Sequence, residues 1–192
     1  MRLPRNSLLR PYVTDELKLI AAAKAGSAEA FCDLARRYRE RLLRFLLTRC
    51  ASYADAEDVL QDTLIAAFRY LHSYDPRWRF STWLYRIAIR NAAKLRGPDL
   101  VEVGELRDEE NDPLLQCIAD SETENLWLNA RQLLNDDVFA AMWLRYAEDM
   151  SVNDISKTLD RSASWTKVNL MRGRRTLESN LSDVSDQSEA YG

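Results

Sequence analysis

Aromatic and arginine side chains alternate in one short stretch of this 192-residue chain, and they are its residues best suited to binding chemistry. A flat ring beside a guanidinium group provides the contacts on which an unpaired base stacks. The helical spacing of Trp83 and Ile87 indicates core positions, whereas Trp78 and Phe80 fall in a predicted loop. The stretch therefore predicts a surface for single-stranded nucleic acid. Its aromatic residues are Tyr74, Trp78, Phe80, Trp83 and Tyr85, and its arginines are Arg77, Arg79 and Arg86.

A helix is predicted immediately before this stretch, beginning at Asp55 and carrying acidic residues in its first turn. Acids there complement the helix dipole, which accounts for the charges at the start. The dipole does not account for Gln61 and Asp62, one turn further on. Both share a face with Asp58, opposite an apolar stripe that includes Phe68. The pattern predicts an acidic and amide patch that faces outward.

A second helix is predicted to follow a cap at residues 81–82 and to end at residues 97–98, a Gly-Pro pair. Arg90, Asn91 and Lys94 give this helix a polar and basic face. Together with the arginines of the loop, this face predicts one continuous basic surface.

Two further helices joined by a short turn are predicted near the carboxyl end. Ser151 and Asp154 have the form of a capping box, Asp160 lies in the turn, and Ser164 is placed to cap the second helix. The pair fits a helix-turn-helix, a motif that reads the major groove of DNA, although many helical hairpins share the spacing. The apolar residues expected to face inward are Val168, Met171 and Leu177.

The second of these helices is basic, with five cations and no acid between Arg161 and Arg175. Arginine, lysine and amide side chains are the groups that bind phosphates and base edges. The candidate DNA-binding residues of the motif are Ser162, Ser164, Trp165, Lys167, Asn169, Arg172, Arg174 and Arg175.

Composition and charge predict an all-α protein of two small helical domains joined by an acidic flexible linker. The chain has only 5 Gly and 5 Pro, and its 46% hydrophobic content can supply two cores. Residues 1–97 carry 18 Lys and Arg against 10 Asp and Glu, whereas residues 98–126 carry 1 against 10. We expect a first domain at 1–97, a linker at 98–126, a helix-turn-helix domain at 127–178 and a disordered tail at 179–192.

Several classes of protein are disfavoured by the same composition. The three cysteines form no CxxC pair and the chain has a single histidine, so no zinc site is expected. No apolar run approaches the roughly 20 residues that cross a bilayer, so we expect no membrane insertion and no export. Free thiols favour a reducing cytoplasm.

The order of these features resembles the extracytoplasmic-function (ECF) group of bacterial sigma factors in the sigma-70 family. Residues 56–63 are similar to the acidic-glutamine helix of that family, and residues 80–88 closely match its Phe-x-x-Trp-Leu signature. The resemblance covers residues 55–96 and 139–177, a little under half of the chain. It departs from the family pattern at Asp160, where glycine is usual, and at Trp165, where a small residue is usual.

The resemblance implies a transcription factor without catalytic activity or cofactor. It implies that Asp55, Asp58, Gln61 and Asp62 bind core RNA polymerase and that the helix-turn-helix reads the minus-thirty-five promoter element. An anti-sigma factor is an expected partner, and the linker would thread into the polymerase. The residues implied for the melted minus-ten strand are Tyr74, Arg77, Trp78, Arg79, Phe80, Arg86, Arg90, Asn91 and Lys94.

Two other interpretations remain at this stage. A stand-alone helix-turn-helix repressor would need a dimer surface and would bind duplex DNA tightly without polymerase. An adaptor that binds only proteins leaves the loop aromatics and the basic helix unexplained.

Overall fold

The computed structural model describes residues 10–96, 127 and 130–189, and every regular element in these ranges is a helix. The all-α prediction is therefore confirmed. None of the described helices is long and apolar enough to cross a membrane. The helices are α1 (Arg10–Lys24), α2 (Ala28–Leu47), α3 (Tyr53–Tyr70), the one-turn 3-10 helix Leu71–Ser73, α4 (Phe80–Arg96), α5 (Asp136–Tyr146), α6 (Val152–Leu159) and α7 (Ala163–Glu189). The predicted linker, 98–126, lies outside the described residues.

Serine and asparagine caps determine where several helices begin. The Ser27 hydroxyl accepts a hydrogen bond from the Ala30 amide at 3.2 Å and starts α2. The Ser52 hydroxyl does the same for the Asp55 amide at 3.1 Å. Helix α3 consequently begins at Tyr53, and Asp55 lies in its first turn rather than at its start.

The core of the first domain forms around α2. Its buried residues recur every three or four positions, so one face of α2 contacts α1, α3 and α4. The prediction that Phe68 belongs to the buried stripe of α3 is wrong. The ring of Phe68 and that of Phe31 are in edge contact at 5.1 Å between centroids, yet 48% of the residue remains exposed.

The second domain is a helix-turn-helix formed by α6 and α7 against α5. The Ser151 hydroxyl accepts from the Asp154 amide at 3.1 Å and donates to its carboxylate at 2.6 Å, which confirms the capping interaction. Asp160 ends α6 in the left-handed region, at φ 56 and ψ 44. Asp tolerates this region better than most residues, which lets it stand in a turn where glycine is common.

Helix α7 begins two residues earlier than the sequence indicated. Ser162 rather than Ser164 is the cap, because its hydroxyl accepts from the Trp165 amide at 3.0 Å. Over residues 163–180, where burial is described, the buried positions are Thr166, Leu170 and Gly173.

The predicted inward positions Val168 and Met171 are therefore wrong. Both side chains are exposed, Met171 to 48%, because α7 packs against α5 and α6 through the other face of the helix. Leu177 is half-buried and packs against the core as expected. A β-carbon at Gly173 would lie 3.1 Å from Val138, so glycine allows α7 to approach α5 closely.

The prediction of a disordered tail from residue 179 is also wrong for most of its length. Helix α7 continues to Glu189. Residues 178–191 contain neither proline nor glycine, so nothing in this segment interrupts the helical hydrogen bonds. Residues 190–192 lie outside the described part.

The two domains pack against each other through an aromatic contact and a set of polar contacts. The Phe45 ring of α2 lies 5.2 Å from that of Tyr85 in α4 and 6.4 Å from that of Trp143 in α5. Arg131 donates from its Nε to the Thr48 carbonyl at 2.8 Å. Arg49 of the first domain donates to a backbone carbonyl of α5 at 3.3 Å.

An ion pair with one buried partner lies in the same interface. The Glu148 carboxylate is 3.3 Å from the Arg41 guanidinium, and its side chain is only 2% exposed. Burial raises the pKa of Glu148 above its ordinary value, and the positive charges of Arg41 and Arg79 oppose this rise in the pKa. Helix α2 and the turn after α5 are thus joined by an ion pair whose carboxylate is desolvated and whose arginine is half-exposed.

The assignment of the α7 cap predicts different effects for two nearby serines. Ser162→Ala removes the acceptor of the Trp165 amide and should lower the free energy of unfolding by about 1 kcal/mol. Ser164→Ala, the matched control in the exposed first turn, should change it by less than about 0.5 kcal/mol. Urea unfolding followed by circular dichroism measures both. Equal losses, or a loss only in Ser164→Ala, would contradict this cap.

The raised pKa of Glu148 predicts a pH-dependent contribution to stability. The native carboxyl binds a proton more tightly than the unfolded one, so its contribution is complete at low pH and is lost as pH rises through the native pKa. Glu148→Gln removes this titration. The difference in unfolding free energy between Glu148→Gln and the unmodified chain should shift in favour of the variant from about pH 4 to pH 7. A difference that is constant with pH in urea unfolding would refute the shift.

Candidate nucleic-acid interface

A cleft of about 320 Å³ opens where the loop before α4 meets the outer face of that helix. The loop is kept tight by Asp75, whose carboxylate accepts from the Arg77 backbone amide at 3.0 Å. Pro76 prevents the preceding 3-10 turn from continuing. The cleft is lined by Ser73, Tyr74, Asp75, Trp78, Trp83, Arg86, Ile87 and Arg90.

Two of the predicted stacking aromatics belong to the core instead. Phe80 is 2% exposed and packs against Tyr38 and Tyr74, because α4 begins at Phe80 and turns its first residue inward. The predicted cap at residues 81–82 is wrong for the same reason. The sequence held a signal for this, since Phe80, Leu84 and Ile87 have the spacing of a helical stripe.

Tyr74 is also buried, so its ring is not free for stacking as the sequence predicted. Its hydroxyl donates to the Trp78 carbonyl at 2.6 Å, and burial raises its pKa to about 12. The Lys24 ammonium donates to the Tyr74 carbonyl at 2.7 Å from the other side. Tyr74 therefore holds the loop in place, and its ring forms a wall of the cleft rather than a free stacking face.

Trp78 is the predicted aromatic that the loop leaves accessible. It is 37% exposed, and the Lys157 ammonium of α6 lies 5.4 Å from the centre of its ring. Trp83 is half-buried and also lines the cleft, although its helical spacing predicted a core position only. The rings that a base could meet in this cleft are those of Trp78 and Trp83.

Three arginines around the cleft already have partners within the protein. Arg77 is bonded to the Asp75 carboxylate at 2.6 Å, and these hydrogen bonds hold the pKa of Asp75 below its usual value. Arg79 donates to the Asp149 carbonyl at 3.0 Å. Arg86 is 3.9 Å from the Asp160 carboxylate.

Arg86, Arg90 and Lys94 follow one another at intervals of four residues and form a stripe along one side of α4. Arg86 is half-buried, whereas Arg90 and Lys94 further along the helix are exposed. Asn91 does not join the stripe. Its amide donates to the Thr63 hydroxyl at 3.4 Å, so this side chain faces α3.

The outer face of α3 carries the predicted acidic patch. Asp58, Gln61 and Asp62 are all exposed, and Ile65 on the next turn is 41% exposed. Asp55 is half-buried in the first turn. The neighbouring Glu57 pairs with Arg39 at 2.9 Å instead of contributing to the patch.

The predicted DNA-binding residues of α7 differ in exposure and in whether their side chains already have partners. Ser164, Lys167, Arg172 and Arg175 are exposed. Arg174 is paired with Glu178 of the same helix at 2.7 Å.

Two other predicted residues of α7 are engaged by their neighbours. Trp165 is half-buried, with the Arg161 guanidinium 5.4 Å from its ring centre. The Asn169 amide donates to the Trp165 carbonyl at 2.9 Å. Across residues 10–96, 127 and 130–189, His, Cys, Asp and Glu form no group of three that could hold a metal ion.

Known proteins that are similar in sequence to this chain match it over nearly their whole length. The family model for Sigma-70 region 2 matches residues 34–96, which include α3, the loop and α4. The ECF RNA polymerase sigma-E factor of Haemophilus influenzae is 31% identical over 185 residues, covering 88% of this chain and 96% of that protein. The ECF RNA polymerase sigma factor SigW of Bacillus subtilis is 26% identical over 181 residues, covering 87% and 97%.

The fold is shared with a solved structure, that of CnrH in complex with the cytosolic domain of CnrY. The TM-score is 0.63 at 22% identity, over 88% of this chain and 97% of that chain. The sequence matches extend through both domains, whereas a stand-alone helix-turn-helix repressor would share only the second. The chain therefore belongs to the ECF RNA polymerase sigma factors.

Proposed function

We propose that the chain binds core RNA polymerase and melted promoter DNA through opposite faces of the α3–α4 pair. The observation that carries this proposal is the separation of two exposed surfaces on one rigid unit. The outer face of α3 is acidic and amide in character, and the outer face of α4 is basic beside an aromatic cleft. One unit can therefore contact a protein and a nucleic acid at the same time.

Asp58, Gln61 and Asp62 are assigned to the polymerase. They are exposed, they lie on successive turns, and the structure gives them no partner among the side-chain hydrogen bonds and ion pairs of the described residues. Exposed Ile65 beside them supplies apolar area, and interfaces combine such apolar area with a polar rim.

The cleft and the stripe on α4 are assigned to the non-template strand of the minus-ten element. A base unstacked from the duplex gains about 1–3 kcal/mol by stacking on an aromatic ring, which offsets the few kcal/mol of unpairing. Trp78 and Trp83 provide such rings. Arg86, Arg90 and Lys94 follow the helix and are spaced to meet successive phosphates.

Helix α7 is assigned to the duplex of the minus-thirty-five element. Lys167, Arg172 and Arg175 are exposed on it and free for phosphates or base edges. The Arg174–Glu178 pair is exposed on both sides, and such pairs contribute little, so DNA can displace it.

The chain acts without catalysis, since its role is to position polymerase on DNA, and it works in the cytoplasm where both are found. An anti-sigma factor is proposed as its regulator. Support comes from CnrH, which shares this fold and was solved in complex with the cytosolic domain of CnrY.

The polymerase assignment predicts the effect of reversing charge on α3. Asp58→Lys combined with Asp62→Lys should reduce capture of core polymerase at least about tenfold, because like charges across an interface cost several kcal/mol. The matched control is Glu29→Lys with Asp33→Lys, which has the same spacing and charge change on α2. Pull-down with tagged chain measures both. Capture unchanged in the α3 variant, or lost equally in the control, would refute the contact.

The assignment of α7 predicts a change in salt dependence. Arg172→Ala should weaken binding of the full chain to duplex DNA and reduce the log-log slope against salt concentration by about 0.9, the value for one phosphate contact. Arg36→Ala is the control, since that arginine is paired with Asp33 on α2. Fluorescence anisotropy across a salt series gives the slopes. A slope equal to that of the unmodified chain would show that Arg172 does not contact phosphate.

A further inference from the structure

Two apolar side chains lie on the outer face of α7, among its cations. Val168 is 39% exposed and Met171 is 48% exposed. The opposite face of the helix holds the buried positions Thr166, Leu170 and Gly173. Because an α-helix has about 3.6 residues a turn, Val168 lies almost directly opposite this buried face, and Met171 lies on the next turn. Both side chains therefore point away from the domain.

Neither packing nor helix stability accounts for a valine at this position. Single apolar residues scattered over a surface are ordinary, but Val168 and Met171 lie on consecutive turns of one outward face. Valine is also a poorer helix former than the lysine and arginine around it. An outward valine in the middle of a basic face therefore indicates a contact outside the chain.

The cations on either side indicate what kind of partner this is. Residues 161–175 include five Lys or Arg and no Asp or Glu. Around the helix, Lys167 lies about 100° to one side of Val168 and Arg172 about 40° to the other. Both are exposed, as is Arg175. Cations on both sides of an apolar strip can bind phosphates on both sides of a major groove, and the strip then faces the base edges.

Asn169, the amide side chain nearest to this strip, is already engaged within the helix. Its amide donates to the Trp165 carbonyl at 2.9 Å, and the residue is half-buried. Trp165 is half-buried as well, with the Arg161 guanidinium 5.4 Å from its ring centre. The middle of the outward face is thus occupied by Val168 and Met171.

The chemistry of the base edges selects one partner for an apolar strip. In the major groove all four bases present hydrogen-bond donors or acceptors, and thymine adds a 5-methyl group. An apolar side chain placed over a polar edge removes that edge from water without offering it a hydrogen bond, which is unfavourable. Placed over a thymine methyl group, it buries apolar surface on both partners, which is favourable.

We propose that Val168 and Met171 read thymine in the minus-thirty-five element through van der Waals contact with its 5-methyl group. The inference rests on the proposed assignment of α7 to that duplex. Three residues of helix rise about 4.5 Å and successive base pairs are about 3.4 Å apart, so the two side chains reach neighbouring base pairs. Thymine is therefore expected at one or two neighbouring positions, while the surrounding cations supply affinity that does not depend on sequence.

The test removes only the methyl group from the DNA. Deoxyuridine keeps the pairing and the O4 acceptor of thymidine, so replacing one thymine at a time by uracil measures the methyl contact alone. The probe is a fluorescein-labelled fragment on which holoenzyme containing this chain initiates transcription, substituted within its upstream region. Uracil at one or two neighbouring positions should lower the affinity of holoenzyme about fourfold each, the value for burial of one methyl-sized group.

Two variants complete a double-mutant cycle with the uracil substitutions. Val168→Ala and Met171→Ala change exposed side chains to a better helix former, so the fold is retained. Each variant should bind the thymine fragment less tightly and should lose its sensitivity to uracil at its own position. The matched control is Leu133→Ala, since Leu133 lies in the same domain outside α7 and is 38% exposed. It should keep the full sensitivity to uracil.

The outcomes separate this inference from the proposed function. Uracil sensitivity that Val168→Ala or Met171→Ala removes at one position, and that Leu133→Ala retains, supports the inference. Absence of thymine from the upstream region, affinity unchanged by uracil, or equal losses on thymine and uracil fragments in both variants overturns it. The proposed function of α7 still stands in those cases if Arg172→Ala lowers the salt slope. Failure of every fragment to support initiation, or an unchanged slope in Arg172→Ala, overturns that function and the inference with it.

Discussion

Helix α4 has to be buried on two sides, and most of the molecule follows from this constraint. Leu84, Tyr85 and Ala88 are almost fully buried, since α2 and α3 pack on one side of the helix and α6 on another. Two of these packing partners, α2 and α3, lie in the first domain and the third, α6, lies in the second, so α4 is the helix that both domains pack against. What remains for a ligand is the outer strip bearing Arg86, Arg90 and the cleft, and its position is therefore determined by packing before any ligand binds.

The same constraint separates two kinds of aromatic residue. Phe80 and Tyr74 are used to anchor the loop to the core, and Trp78 is displayed by that anchored loop. A ring on a rigid support loses little conformational freedom when a base stacks on it, so more of the stacking energy appears as affinity. The acidic face lies on α3, which packs directly against α4, so the distance between the two faces proposed to bind polymerase and DNA is fixed. In the proposed function, polymerase binding and strand capture are coupled by this geometry.

Local chemistry made much of this predictable. The helical composition, the exposed Asp62 face and the turn at Asp160 depend on neighbours in the sequence, and these predictions were confirmed. The wrong predictions concern the residue at which a helix begins, the face that it buries, and contacts between distant parts of the chain. Phe80 begins a helix instead of ending a loop, and Ser162 rather than Ser164 caps α7. The buried face of α7 is decided by its packing on α5 and α6. The pairing of Glu148 with an arginine of the first domain joins segments more than a hundred residues apart, and no local pattern indicates it.

Run-off transcription tests the central claim most directly, because it requires polymerase binding, melting and promoter reading together. Purified core polymerase and this chain are mixed with genomic fragments. The account predicts discrete start sites that appear only when both proteins are present. It also predicts that Trp78→Ala abolishes those transcripts while polymerase capture is retained, since the ring acts on melted DNA. Absence of any start site across the fragments, or transcription unchanged by Trp78→Ala, would contradict it.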